Sequence, residues 1–200
     1  AFELADARRL ADEVGADMLV LHVDVLSNSA VTANPSDRCY HCKNTLFRQI
    51  LRAAESDGFP VLLDGTNASD DAGDRPGMRA LRELSVRSPL RECGLAKAEI
   101  RRLSKDAGLF TWDKPAYACL ATRIRTGEEI TLQKLKQTEK AEGFLFGLGF
   151  RDFRVRMVGN TAKLELREAD LPLLLENREK IVTELRKDYD SVLLNLEVRK

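Results

Sequence analysis

The sequence has 200 residues, 44% of them hydrophobic, enough to bury about 70% of the extended-chain surface in one domain or two small ones. Lysine plus arginine and aspartate plus glutamate both number 32, and a net charge of zero argues against a general nucleic-acid or membrane surface. No apolar run approaches the roughly 20 residues of a membrane span, and no secretory signal is visible. Four cysteines then read as those of a reducing compartment, the cytoplasm, where metal binding or catalysis is a commoner use than disulfides.

Residues Phe2–Val14 read as a helix, with Leu4, Ala7, Leu10 and Val14 on one stripe. A start at Ala1, with that helix already under way, leads us to expect a sequence that begins inside a longer protein. Gly15 closes the helix, and Met18–Val25 (MLVLHVDV) has the near-continuous apolar character of a buried parallel strand. His22 within it reads as a core or strand-end histidine. A polar loop to Arg38 leads into a helix that begins with Cys39, Tyr40, His41, Cys42 and Lys43 and buries Leu46, Ile50 and Leu51. A CxxC in a first helical turn puts two sulfurs on one side, where the helix dipole favours thiolates. It fits a redox pair, half a zinc site or part of an iron–sulfur site equally well.

Pro60–Asp64 (PVLLD) is a second buried strand, followed by Gly65-Thr66-Asn67-Ala68-Ser69-Asp70-Asp71. A glycine-containing polar turn at a strand's carboxyl end is where open α/β sheets bind ligands. Its acidic residues are candidate magnesium ligands. A helix over Met78–Leu84, a short strand at Val86–Leu90 and an amphipathic helix over Ala96–Ala107 follow, the last closed by Gly108. Cys93 lies in the loop before that helix. Trp112 precedes the run Lys114–Arg123 (KPAYACLATR), a shaped loop opened by Pro115 and expected to be packed down by the tryptophan. Its Cys119 stands between Lys114 and Arg123, and fixed positive charge shifts a thiol toward thiolate, the form that acts as nucleophile and metal ligand.

From Thr126-Gly127 the pattern changes to a helix over Glu129–Gly143, a strand over Phe153–Val158, a Gly159-Asn160 hairpin turn and a strand over Ala162–Arg167. A helix over Leu171–Lys187 and a strand over Val192–Val198 complete it. That order predicts a small antiparallel sheet with helices on one face, an α+β module over 128–200 beside an α/β domain over 1–127.

RCYHCK (38–43), DGTNASDDAGDRPG (64–77), VRSPLRECGLAKAEIRRL (86–103) and DKPAYACLATRI (113–124) together resemble the LarE family over essentially the whole chain. These are ATP-dependent sulfur transferases that build the nickel-pincer nucleotide. The middle run is shared more widely with PP-loop ATP pyrophosphatases, and the DRPG and KPAYACLATR runs single out LarE. The resemblance implies a PP-loop parallel sheet with helices on both faces, adenylylation of a pyridinium mononucleotide carboxylate by ATP with Mg2+, then thiolation. In one form of the family the cysteine matching Cys119 surrenders its sulfur. In another, cysteines matching Cys39, Cys42 and Cys119 hold a 4Fe–4S cluster whose open iron carries an extra sulfide. Three thiols do leave one iron of such a cluster without a ligand, which favours the cluster form. With Cys93 as a fourth ligand the site would be closed zinc or closed iron–sulfur.

The resemblance further implies nucleotide binding at Gly65, Thr66, Asn67 and Lys97. It pairs Thr122 and Arg123 after the cysteine, makes Arg154 and Arg156 phosphate-binding, and makes Glu142 and Glu165 an acidic pair facing substrate or metal. It also implies a homo-oligomer. One departure stands out: the SGGxDS-type loop that cradles pyrophosphate in PP-loop enzymes does not occur in these residues. The expectation is therefore a fragment lacking that phosphate grip. Two other readings of the cysteines remain open at this point, a tRNA-thiolating PP-loop enzyme, against which the charge balance argues, and a zinc-stabilised binding module without turnover.

Overall fold

The computed structural model describes residues 2–70, 75–115 and 117–199. The chain is a mixed helix-and-sheet protein that divides into two compact units: Ala1–Val25 with Tyr40–Lys114, and Leu26–Cys39 with Pro115–Lys200. The expected division at 127/128 is thus not where compactness divides the chain. Residues 115–127 belong with the carboxyl-terminal module, because Ile124 bridges Met157 and Gly127 donates its amide to Asn34 at 2.8 Å.

In the first unit, α1 (Phe2–Val14) ends at Gly15, whose φ of +67° is the left-handed conformation that closes a helix. Most of α3 (Arg38–Ser56), with α4 (Pro76–Glu83), α5 (Pro89–Glu92) and α6 (Lys97–Asp106), completes its helices. The strands expected at 18–25, 60–64 and 86–90 form no ladder among the described residues. One parallel bridge, Leu63 to Arg87, joins the last two. Along the first, Met18 and Leu19 are 41% and 66% exposed rather than buried. Apolar composition reports a preference for burial, whereas a strand exists only where a neighbour supplies hydrogen-bond partners.

The second unit holds α2 (Ser29–Thr32), capped by Asn28, whose Oδ1 accepts from Ala30 at 3.0 Å. After a 3-10 turn over Leu120–Arg123 comes α7 (Leu132–Gly147), capped by Thr131, whose hydroxyl accepts from the Lys134 amide at 3.2 Å. The cap explains why the helix starts three residues later than its charge pattern suggests. Strands β1 (Arg154–Val158) and β2 (Thr161–Glu165) form the expected hairpin in antiparallel register, Arg154 opposite Glu165. The expected long last helix is two, α8 (Leu171–Glu176) and α9 (Arg178–Leu185), and they lead to β3 (Ser191–Leu194). Here the expectation of an all-antiparallel sheet is corrected: β3 pairs parallel with β2, in the order β1-β2-β3. Two helices between the strands form a crossover, and a crossover returns the chain in the same direction. Leu145, Phe150, Phe153, Val155, Leu164, Ile181 and Leu185, each at most 2% exposed, form the core beneath this sheet.

Candidate functional site: a braced thiol loop

Helix α7 buries Thr138, Ala141, Glu142 and Leu145, the i, i+3, i+4, i+7 stripe of an inward helix face. One member of that stripe is a carboxylate, so it needs partners. Its partner is Arg123, at the end of the 3-10 turn, with Nε to Oε1 at 2.7 Å and Nη2 to Oε2 at 3.0 Å. The two side chains are 0% and 1% exposed. Glu142 also accepts from the Val155 amide at 3.0 Å and from the Tyr117 hydroxyl. A bidentate pair with its remaining lone pairs filled is the arrangement in which buried charges are tolerated.

From that anchor Arg123 reaches back along the loop. Its Nη1 donates to Ala118 O at 3.0 Å, to Cys119 O at 3.4 Å and to the Thr122 hydroxyl at 3.0 Å. Thr122 donates that hydroxyl to Cys119 O at 2.7 Å. Arg156 on β1 donates to Thr122 O at 2.7 Å while pairing with Glu165 at 2.7 Å. Arg38, at the start of α3, donates to Ala121 O at 3.0 Å and Asn34 Oδ1 at 2.8 Å, and its Nη2 lies 3.7 Å from Cys39 Sγ. Three guanidinium groups therefore take the carbonyls of Ala118, Cys119, Ala121 and Thr122, and the Cys119 side chain is left exposed.

The Tyr117 ring packs near Arg123 Cζ, at 5.1 Å, and Arg154 Cζ, at 5.9 Å. Burial, then the hydrogen bond to Glu142 and its charge, push the Tyr117 hydroxyl well above the usual phenol range. Arg154 is nearly buried, with Nη1 on Phe153 O at 2.6 Å and Asp152 at 3.8 Å. Burial lowers its pKa from the guanidinium value, and the neighbouring charges of Arg123 and Arg199 add to that.

The cations flanking Cys119 in sequence do not both face it as bare charges. Lys114 pairs with Asp6 at 2.6 Å within the first unit, and Arg123 pairs with Glu142. Trp112 carries Lys105 Nζ 4.5 Å over its ring, so it packs toward α6. None of the four cysteines is in a disulfide; Cys39, Cys93 and Cys119 are exposed and Cys42 is half-buried. Cys39 and Cys119 belong to the second unit, Cys42 and Cys93 to the first. Within each unit no three described His, Cys, Asp or Glu side chains are gathered as a metal site.

In the first unit the expected ligand turn is tied down through Asp64. Its carboxylate accepts from the Ser88 and Thr66 hydroxyls, each at 2.6 Å, and from the Thr66 amide at 3.2 Å. Burial pushes this carboxyl up, but those hydrogen bonds and nearby Lys43 outweigh it and leave it below its ordinary value. Asn67 N donates to Asp70 at 2.9 Å, and Lys97 N donates to Ser69 Oγ at 2.9 Å. Gly65, Thr66 and Asn67 thus lie in the loop that Lys97, opening α6, adjoins through Ser69. The acidic residues at 71 and 74, candidate magnesium ligands, lie outside the described residues. A separate 670 Å³ groove, lined by Leu19, Leu21, Val23, Leu46, Ile50 and Phe59 among others, contains none of the expected site residues.

Sequence reading missed Arg38, Asn34 and Tyr117. Glu142 was expected only through the family resemblance, as one of an acidic pair facing substrate or metal. Nothing local marks Arg38, whose acceptor on Ala121 lies 83 positions away.

A loop that presents a thiol while three guanidinium groups, one of them buried, take its carbonyls, in a chain that also carries an ordered polar turn, defines a mixed helix-and-sheet protein with a braced thiol loop. Comparison with known proteins makes the class specific. The chain is 31% identical over 184 residues to the pyridinium-3,5-bisthiocarboxylic acid mononucleotide synthase of Lactiplantibacillus plantarum, covering 92% of this chain and 67% of that protein. It belongs to that family, the LarE family. It is also 40% identical over 164 residues to an uncharacterized protein of Synechocystis, covering 82% of this chain and 61% of the relative. An uncharacterized protein of Methanocaldococcus jannaschii is 33% identical over 180 residues, 89% of this chain and 70% of its own. The chain thus spans roughly two thirds of the length of these relatives. No family model matches it.

Proposed function

We propose that this chain serves ATP-dependent insertion of sulfur into a pyridinium carboxylate mononucleotide, a step in making a nickel-pincer cofactor. The likeness to the Lactiplantibacillus synthase over 92% of the chain carries this reading. In the proposed reaction the substrate carboxylate attacks ATP, releasing pyrophosphate and leaving an acyl-adenylate. A sulfur nucleophile then adds to the acyl carbon, AMP departs and a thiocarboxylate remains. On this reading the first unit is a PP-loop domain, with Gly65, Thr66, Asn67 and Lys97 toward ATP and Mg2+. Arg154 and Arg156 are toward the substrate phosphate, and Glu165 is toward substrate. Cys119 is the sulfur-handling residue, with Thr122, Arg123 and Glu142 holding its loop. The protein is proposed to be cytoplasmic and homo-oligomeric.

Cys39, Cys42 and Cys119 would hold a 4Fe–4S cluster; that none of the three thiols is in a disulfide supports this reading. When bound, such a group supplies an iron without a protein thiolate, open to external sulfide. A purely sacrificial Cys119 would give Cys39 and Cys42 no task. In the intact protein, Cys39→Ser should abolish multiple turnover with added sulfide, and mass spectrometry after ATP and substrate should find Cys119 unaltered. Dehydroalanine at 119, with Cys39→Ser as active as wild type, would reverse the choice. Metal analysis separates the remaining readings: iron with inorganic sulfide, zinc alone, or neither.

A further inference from the structure

Arg38 stands between a thiol and a loop from another part of the chain. Its Nη2 is 3.7 Å from Cys39 Sγ, and its Nη1 donates to Ala121 O at 3.0 Å, two residues after Cys119. The guanidinium is aimed by Asn34, which accepts from Nη1 at 2.8 Å. Asn34 is itself held hard. It is 1% exposed, and its amide nitrogen donates to Arg125 O at 2.8 Å and Glu128 O at 3.0 Å. Its carbonyl accepts from Gly127, and its φ is +53°, a left-handed conformation that asparagine tolerates better than most residues. Asn34, Arg38, Cys39 and loop 118–128 all lie within the second unit.

We infer that Arg38 is a positioning residue: its fork sets the separation of Cys39 from the Cys119 loop, so that the two thiols act on one group. A planar guanidinium suits this because its donors diverge at fixed angles, so one end can serve sulfur and the other a carbonyl. A lysine would give a single point of attachment on a flexible stem. Arg123 and Arg156 hold the same loop from Glu142 and Glu165, whereas Arg38 is the one that reaches a second cysteine among the described hydrogen bonds. The inference rests on the sulfur-transfer reading for why two thiols should be held together. Its geometry is testable without ATP or substrate.

The test uses the full chain with Cys42→Ser, so that Cys39 cannot pair with its neighbour on the helix. Dibromobimane, which becomes fluorescent on bridging two nearby thiols, is added under chelation, and the bridged peptides are mapped by mass spectrometry. The parent should form a Cys39–Cys119 bridge. Arg38→Gln should lower its yield severalfold, and Arg38→Lys should recover part of it. Single labelling of Cys93 should stay constant, and Arg102→Gln, which removes an exposed ion pair on α6 in the first unit, should leave the yield unchanged. If Arg38→Gln does not fold, Arg38→Lys still decides, by falling below the parent or matching it. No bridge in the parent, or an equal yield in the Arg38 variants, would overturn the inference. A positive result with no sulfur transfer in the intact protein would instead remove the proposed reaction and leave the brace.

Discussion

At the scale of residues, the centre of the second unit is a carboxylate with four donors around it. Glu142 has Arg123, Tyr117 and the Val155 amide on its two oxygens, with the pair almost wholly out of water. Breaking such a pair from one side strands a buried charge, at a cost of about 3–5 kcal/mol. Glu142→Ala should therefore lower the midpoint of urea unfolding sharply, while replacing the exposed partner in Arg102–Asp106 should change it little. Asp64 offers a pH test. Its folded-state pKa is below its ordinary value, so its contribution is whole above about pH 4 and is lost as pH falls through the folded value. The melting temperatures of wild type and Asp64→Asn should differ at neutral pH and converge below that point; a constant difference would count against the Ser88–Asp64–Thr66 clasp.

At the scale of elements, α7 does two jobs with one stripe. Leu145 is fully buried in the core, and Glu142, one turn earlier, holds the thiol loop. Leu145→Ala should cost about 2–5 kcal/mol, as large-to-small changes in a packed core do. Thr131→Ala, which removes the cap, should cost about 1 kcal/mol. Both are read from denaturant midpoints. β1 has a similar double use: Val155 and Met157 face the core, while Arg156 reaches across to Thr122 and Glu165. The loop's position is thus coupled to the packing of the sheet through Ile124, which bridges Met157.

At the scale of the whole molecule, most of the buried apolar side chains belong to the second unit, with Ala80, Leu81 and Val86 the buried apolar residues described in the first. Local stability should follow. Amide exchange should be slowest in β1, β2 and α7 and fast over residues 16–24, which carry no ladder and expose Leu19 and Leu21. Protection over 16–24 equal to that of β2 would contradict this. No helix among the described residues is long and apolar enough to cross a membrane.

Much of this molecule could be read from local pattern. The helices α3 and α6, the Gly159-Asn160 hairpin and the helix stops at Gly15 and Gly108 all follow from spacing and backbone preference, which act over a few residues. The motifs around Cys39, Gly65 and Cys119 were enough to find the family. Pairing was not legible in the same way. The parallel seat of β3, the single bridge where three strands were expected, and the allotment of 26–39 and 115–127 to one unit depend on which distant groups complete each other's hydrogen bonds. The brace on Cys119 is of that kind. Arg123 with Glu142, Arg156 with the Thr122 carbonyl and Arg38 with the Ala121 carbonyl join groups 19, 34 and 83 positions apart, and no period along the chain records those pairings.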